Sequence, residues 1–105
     1  MELVDSCVFV GELTTAGRRT GLPRTVELRF VRLNGKFYLS SSNVERKHWC
    51  RNMMKNPEVS VAARGERFLC FARRLDDKEV RRKILTLRDS PPLMERVVFE
   101  LAPVK

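Results

Sequence analysis

Three short stretches of this 105-residue chain hold side chains whose types and spacing suit chemistry. The first is Gly17-Arg18-Arg19-Thr20-Gly21, followed by Pro23-Arg24-Thr25. Glycines let a backbone come close to an anion, and arginines offer fork-shaped donors to phosphate. A solvated, arginine-rich turn has the same composition, and spacing alone leaves the two readings level. The second is Tyr38-Leu39-Ser40-Ser41-Ser42-Asn43. Its hydroxyls and backbone N–H groups suit the polar edge of a ring system, although a strand unravelling into a polar turn is the simpler reading. The third is Glu45-Arg46-Lys47-His48-Trp49-Cys50-Arg51-Asn52. Arg46 and Lys47 stand near a helix start, where free N–H groups and the helix dipole favour phosphate. Trp49 has the size to cover an aromatic ring, but Trp49 and Met53, four apart, also describe an ordinary core face. His48 reads as a surface residue rather than a general base, because no acidic partner stands near to orient it.

Other chemistries lack their residues. Cys7, Cys50 and Cys70 are far apart, there is no Cys-x-x-Cys, and His48 is the single histidine. A zinc site needs about four grouped ligands, so no metal is expected. Cys50 and Cys70 read as buried small hydrophobes rather than nucleophiles. No nucleophile–base pair or carboxylate pair is evident, and no residue is assigned a catalytic role. An enzyme built this way needs a cofactor to carry its chemistry, and a pure binding module fits equally well.

The elements that must position these stretches follow from periodicity. Cys7 to Thr15, with Val8, Phe9, Val10 and Leu13, suits a mostly buried strand. The glycines and proline between Ala16 and Pro23 mark a loop. Arg24 to Leu33 alternates, with Val26, Leu28 and Phe30 on one face, and Asn34-Gly35 then signals a hairpin into a strand from Lys36 to Ser42. Val44 to Lys55 reads as a helix ended by Asn56-Pro57. Glu58 to Arg64 and Arg67 to Leu75 form a second strand pair around Gly65-Glu66. Asp76-Asp77-Lys78-Glu79 looks like a capped start to a helix burying Val80, Ile84 and Leu87, with Arg81, Arg82, Lys83 and Arg88 on its wet face. Asp89-Ser90-Pro91-Pro92 breaks it, and Arg96 to Leu101 is the last strand. The expected architecture is mainly β: a six-stranded antiparallel barrel whose ends are plugged by helices.

The length predicts one domain over residues 1–105. A net charge of +8 attracts anions, whether nucleic acid, anionic lipid or a phosphorylated cofactor. The odd cysteine count, the acidic Met1–Asp5 segment and the lack of a long apolar run predict a cytoplasmic protein with no membrane span.

Leu13 to Val26 resembles the opening motif of the deazaflavin-dependent nitroreductase family, within the wider FMN-binding split-barrel group of pyridoxamine phosphate oxidases. The resemblance continues at Phe37-Tyr38-Leu39-Ser40-Ser41-Ser42 and at Trp49 to Val61, and more weakly at Val97-Val98-Phe99-Glu100-Leu101. It covers residues 13 to 63 well and the rest loosely. It implies that Arg18, Arg19, Thr20 and Arg24 hold the cofactor's phosphate and acidic tail, with Thr25 and Val26 beside the ring. It implies that Ser40, Ser41 and Ser42 bond the pyrimidine edge or approach the reactive ring atom. Arg46-Lys47 resembles the Ser-Arg-Lys phosphate site of the oxidase branch, with Glu45 replacing Ser, whereas Trp49 and Asn52 match the deazaflavin branch. FMN and the deazaflavin coenzyme F420 therefore both stand as expected cofactors, and a homodimer is implied.

The leading expectation is an oxidoreductase of nitroreductase or quinone-reductase type. It would pass hydride between the ring and a small electron-poor organic substrate. Between Ser90 and Arg96 the chain is shorter than the deazaflavin branch, which motivates the alternative of a non-catalytic FMN- or deazaflavin-binding protein. A small basic barrel binding nucleic acid ranks last, because stacking aromatics on an open strand face are scarce.

Overall fold

A computed structural model describes residues 6–17 and 20–104. The strands are β1 (Cys7–Ala16), β2 (Pro23–Leu33), β3 (Lys36–Ser41), β4 (Glu58–Ala63), β5 (Glu66–Leu75) and β6 (Val97–Pro103); the helices are α1 (His48–Lys55) and α2 (Lys78–Arg88). All strand pairs are antiparallel, and the barrel closes in the order β1-β2-β3-β6-β5-β4. The split-barrel architecture expected from the sequence is the one observed.

Two tight hairpins set the register. Asn34 and Gly35 both take positive φ, 53° and 74°, and Arg64 and Gly65 take 51° and 81°. Two consecutive left-handed residues match the twist of the flanking strands. The second turn sits one residue earlier than expected, because Glu66 already pairs with Ala63.

Strand alternation sorts side chains into two cores. Leu13, Phe30, Phe37, Leu39, Val61 and Cys70 point inward, with Phe9 and Phe68 packed against them. Phe9 stacks on Phe30 at 5.4 Å between centroids, and Phe37 meets Phe68 at 5.1 Å. Each large apolar side chain removed from water contributes about 1.5–3 kcal/mol. Gly11 faces the same interior; a Cβ there would lie 2.9 Å from the Ala62 carbonyl oxygen, so only glycine allows this approach of β1 to β4. At one end of the inward row the Arg32 guanidinium lies 4.3 Å from the Phe37 ring centroid, a cation–π contact.

The second core lies on the outer face. Val31, Leu33, Tyr38, Leu75 and Val98 pack against Ile84 and Leu85 of α2. The expectation that both helices plug barrel ends is corrected here. The trio α1 contributes to the interior core is Trp49, Cys50 and Met53, whereas α2 covers the outside, since β2 and β6 carry apolar residues on both faces. Arg81 also leaves the expected wet face: one Nη donates to the Met94 and Arg96 carbonyls at 2.8 and 2.7 Å. Asp77 caps α2 as expected, accepting from the Val80 N–H at 3.1 Å.

α1 starts at His48, not at Val44. Asn43 accepts from the Arg46 N–H at 3.1 Å and holds a separate turn before the helix. Asn side chains compete with helical backbone in this way.

Glu100 joins three strands. It stands opposite Tyr38 on one side and Arg73 on the other, and is 5% exposed. Its carboxylate accepts from Arg73 Nε at 2.9 Å, Tyr38 Oη at 3.2 Å and Lys36 Nζ at 3.4 Å. Burial pushes this carboxyl up, but the Arg73 hydrogen bond and the Lys36 and Arg73 charges outweigh it, holding it below the usual range. Its stabilisation is thus present above the unfolded-state value of about 4.3 and lost as pH falls through the lower folded-state value. Glu100→Gln is expected to lower stability by roughly 1–2 kcal/mol at pH 7. In urea melts from neutral to acid pH, that difference should shrink to nothing; a constant difference would sever it from carboxylate charge.

Candidate functional site

The inward row ends in polar residues. After Leu13 and Val26, which face each other, the next inward pair is Thr15 and Arg24. Beyond them the chain leaves the barrel through the loop at Gly17–Leu22. That loop closes on itself: the Gly17 N–H donates to the Leu22 carbonyl at 2.8 Å, and the Gly21 N–H to the Gly17 carbonyl at 3.0 Å. Gly21 has φ 74°, a conformation that side chains resist. Thr20 Oγ1 accepts from the Leu22 N–H at 3.2 Å.

Across this mouth lies α1. Asn52, 4% exposed, donates through Nδ2 to Thr15 Oγ1 at 3.0 Å and so ties the helix to β1. Trp49 meets Phe99 edge-on at 6.2 Å, with one part in the core. Between helix and strands opens a cavity of about 760 Å³. Thr15, Arg24, Thr25 and Val26 line its strand side, Gly17 and Thr20 its loop side, and His48, Trp49, Arg51 and Asn52 its helix side. The size falls in the ordinary range for small-ligand sites.

Chemically the cavity is two-sided. Val26 and Trp49 offer apolar surface for a flat ring. Arg24, Arg51 and the hydroxyls of Thr20 and Thr25 offer donors to an anion, and no carboxylate stands among the described lining residues.

Of the residues singled out in sequence, Thr20, Arg24, Thr25, Val26, Trp49 and Asn52 come together here. Arg18 and Arg19 lie outside the described residues. Ser40, Ser41, Ser42, Arg46 and Lys47 are not among the lining residues. Ser40 faces the outside of β3, where Arg96 grips it: Nε donates to its Oγ at 3.0 Å and Nη2 to its carbonyl at 3.1 Å. Ser41 points inward and accepts from the Asn43 N–H at 3.2 Å. Its contact with the Cys50 thiol only partly offsets burial, which pushes Cys50 up to about 11. Desolvation likewise pushes Cys70 up to about 11, so both thiols are protonated and inert at neutral pH.

Thr15 and Arg51 were not singled out in sequence, and His48 was read as a surface residue; all three line the cavity. Thr15 is two residues beyond Leu13 and shares its inward face by strand parity. His48 and Arg51 lie one helical turn apart beside Asn52, and spacing over 48, 51 and 52 would have grouped them.

Comparisons with known proteins bear on this geometry. Residues 7–93 match the model of a family described as F420H(2)-dependent quinone reductase. A solved structure of an F420-H2 dependent reductase shares 29% identity, with 96% of this chain and 98% of that chain covered and a TM-score of 0.69. A structure described as a domain-swapped dimer shares 28% identity over 95% of this chain and 83% of its own, also with a TM-score of 0.69. A protein assigned as a pyridoxamine 5'-phosphate oxidase from Listeria innocua shares the fold at 19% identity, covering 91% of this chain and 84% of its own, with a TM-score of 0.71.

Thr15→Val keeps the shape but removes the hydroxyl that accepts from Asn52 Nδ2. Stability should fall by about 1–2 kcal/mol. Removing the exposed Thr14 hydroxyl, bonded to Thr25 at 2.9 Å, should cost under about 0.5 kcal/mol. Equal losses in chemical denaturation would show that α1 does not depend on the Thr15 link.

Proposed function

Because the chain belongs to the F420H(2)-dependent quinone reductase family, we propose that it binds the deazaflavin coenzyme F420 at the α1 mouth of the barrel and uses it to reduce a small electron-poor acceptor of quinone type. The observation that carries this reading is the pairing, in one cavity, of an apolar wall from Val26 and Trp49 with the cationic donors Arg24 and Arg51. A ring system that ends in a phosphate and an acidic tail needs both. The cavity fits such a group in size and in the chemistry of its donors.

Each residue then has a role. Val26 and Trp49 flank the ring. Thr25 stands at its polar edge, and Thr20 and Arg24, with Arg18 and Arg19 from the same loop, take the phosphate and tail. Arg51 adds a second guanidinium from the helix side. Asn52 positions α1 through Thr15. Bound coenzyme supplies hydride; the protein supplies orientation and a site walled by β1, β2 and α1. FMN is the weaker candidate, because Arg46-Lys47, the marks of the FMN branch, are not among the lining residues. Ser40 is held outward by Arg96, which leaves Ser41 and Ser42 as the hydroxyls free of that grip.

A homodimer belongs to the same reading, supported by a similar structure described as a domain-swapped dimer. So do residues 1–105 as one cofactor-binding domain, and a cytoplasmic setting. No helix of the described residues is long and apolar enough to cross a membrane.

The decisive experiment is an absorbance titration of cofactor-stripped protein with oxidised F420 and, separately, with FMN. Micromolar, selective binding of F420 is expected. Arg24→Ala and Arg51→Ala should each weaken it by about tenfold or more, the loss of one charge-assisted hydrogen bond. Arg82→Ala on exposed α2 should leave it unchanged. Equal losses at all three would remove the phosphate-clamp assignment. Binding without turnover of any quinone would favour the non-catalytic alternative.

A further inference from the structure

We infer that a second copy of this chain docks on the uncovered outer face of β1, β4 and β5, turned about a two-fold axis along β4. The inference rests on the homodimer in the reading above and uses none of the residues assigned to the coenzyme. Among the described residues no helix covers this face. α1 packs into the barrel interior, and α2 packs on β3, β6 and the ends of β2 and β5. Val10 is 62% exposed, Leu69 48% and Phe71 50%. Val104, whose N–H donates to the Leu69 carbonyl at 2.8 Å, is exposed beside them. Apolar side chains grouped in the open on a sheet mark a contact surface.

Strand register makes this face complementary to itself. Glu12 of β1 stands opposite Ala62 of β4, and Ala62 opposite Arg67 of β5. In the next outward row Thr14 stands opposite Ser60, and Ser60 opposite Leu69. Neighbouring strands lie about 4.8 Å apart, so Glu12 and Arg67 are roughly 10 Å apart on either side of the small Ala62. A half-turn about β4 exchanges the β1 and β5 sides. Glu12 then meets Arg67 of the second copy, and Arg67 meets its Glu12. Leu69 falls on Thr14 and Thr14 on Leu69, a large side chain on a small one. Ala62 and Ser60 lie at the axis and let the two sheets approach. Every contact off the axis occurs twice, as a two-fold interface requires.

Charge singles out the partner. Glu12 also stands opposite Glu27 on β2, and like charges directly opposite on a sheet are unfavourable. Neither Glu12 nor Arg67 forms an ion pair among the described residues. A recess of about 460 Å³ opens beside them, walled by Val10, Ala62 and the β4–β5 hairpin, with Glu27, Arg64 and Glu66 as its other charged lining. Copies of a chain with net charge +8 repel one another, so a contact between them needs carboxylates where it forms. This face supplies them and, across Ala62, supplies the arginine that answers them. An anionic membrane, the other surface a basic protein attracts, would meet Glu12, Glu27 and Glu58 here.

The test is sedimentation of the full chain between about 1 and 100 μM, where the wild type should dimerise. Glu12→Arg and Arg67→Glu should each weaken the dimer by about tenfold or more, because each sets like charges face to face. An equimolar mixture of the two variants should recover wild-type affinity to within about threefold, since the mixed dimer carries opposite charges at both contacts. Leu69→Lys, at a side chain open to water in the single chain, should leave a monomer that still unfolds cooperatively. A dimer indifferent to all three substitutions would overturn this face as the interface and leave the homodimer standing. Losses in both charge variants without recovery on mixing would overturn the two-fold pairing. A monomeric wild type would overturn the proposal and the homodimer together. So would a monomer that binds phosphatidylglycerol vesicles through Leu69, which would give the face to a membrane. The coenzyme reading is tested apart, by F420 titration of the same proteins. Affinities within about threefold of wild type are expected in all variants. Failure of the wild type to bind F420 would remove that reading and leave the sedimentation result untouched.

Discussion

The interior of a six-stranded barrel is narrow, and here it is full. Phe9, Phe30, Phe37, Phe68 and Phe99 share it with leucines, valines and the Trp49–Met53 face of α1. Small barrels are filled by side chains rather than cavities. A ligand as large as a flavin-type ring therefore has no room inside and must lie at a mouth. Which mouth follows from the inward rows: on β1 and β2 they end in Thr15 and Arg24 rather than in another apolar pair. The aromatic filling and the polar mouth are thus two parts of one packing solution, read along the same strand faces.

β3 and β6 are buried on both faces. α2 covers part of the outside with Ile84 and Leu85. Where α2 does not reach, polar chemistry takes over. Glu100 is buried on the outer face of β6 and is satisfied by Tyr38, Lys36 and Arg73 from the strands on either side. Arg96 does the same for Ser40. A hydroxyl that sequence pattern offered to a ligand is instead occupied in holding β3 to the segment before β6. These two arginines help make the barrel, and they stand apart from the arginines at its mouth.

Much of this was legible in the sequence, for identifiable reasons. Alternation with a period of two places residues on a face without knowledge of the partners, so the inward set Val26, Leu28 and Phe30 was readable. Asn34-Gly35 fixed a hairpin because few other pairs tolerate two positive φ values. That the loop from Gly17 to Gly21 and the face carrying Trp49 and Asn52 lie together was readable through family resemblance alone, since composition left each open to a plainer reading. What was not legible depends on partners distant in sequence. Nothing near Ser40 announces Arg96, 56 residues away. Nothing in α2 says that the barrel's outside, rather than its end, is apolar; that follows only once β3, β6 and the end of β2 are seen to be buried on both faces. The start of α1 was misplaced because Asn43 offers the chain a local turn that competes with helix, and pattern reading does not weigh the two. His48 was set aside for want of a carboxylate to orient it; it is exposed, as read, and it lines the cavity.

The start of α1 deserves weighing against ordinary helix energetics. Helix N-termini favour negative side chains by about 0.3–1 kcal/mol each, yet α1 has no acidic residue in its first turn and no side-chain cap at Lys47. Arg46 and Lys47 instead stand at that positive end, and Arg51 follows one turn later. In isolation this arrangement works against the helix. It is tolerated because tertiary contacts hold α1 from the other side: Trp49, Cys50 and Met53 are buried in the barrel, and Asn52 is bonded to Thr15. The burial of three side chains outweighs a dipole mismatch of that size. The packing thus frees the first turn from the usual need for acidic residues, and Arg51 of that turn faces the cavity. An anionic coenzyme seated there would relieve the repulsion that the protein alone sustains. Stability in this region and affinity for an anion would therefore be linked: a bound anion would offset the same cations that work against the helix start.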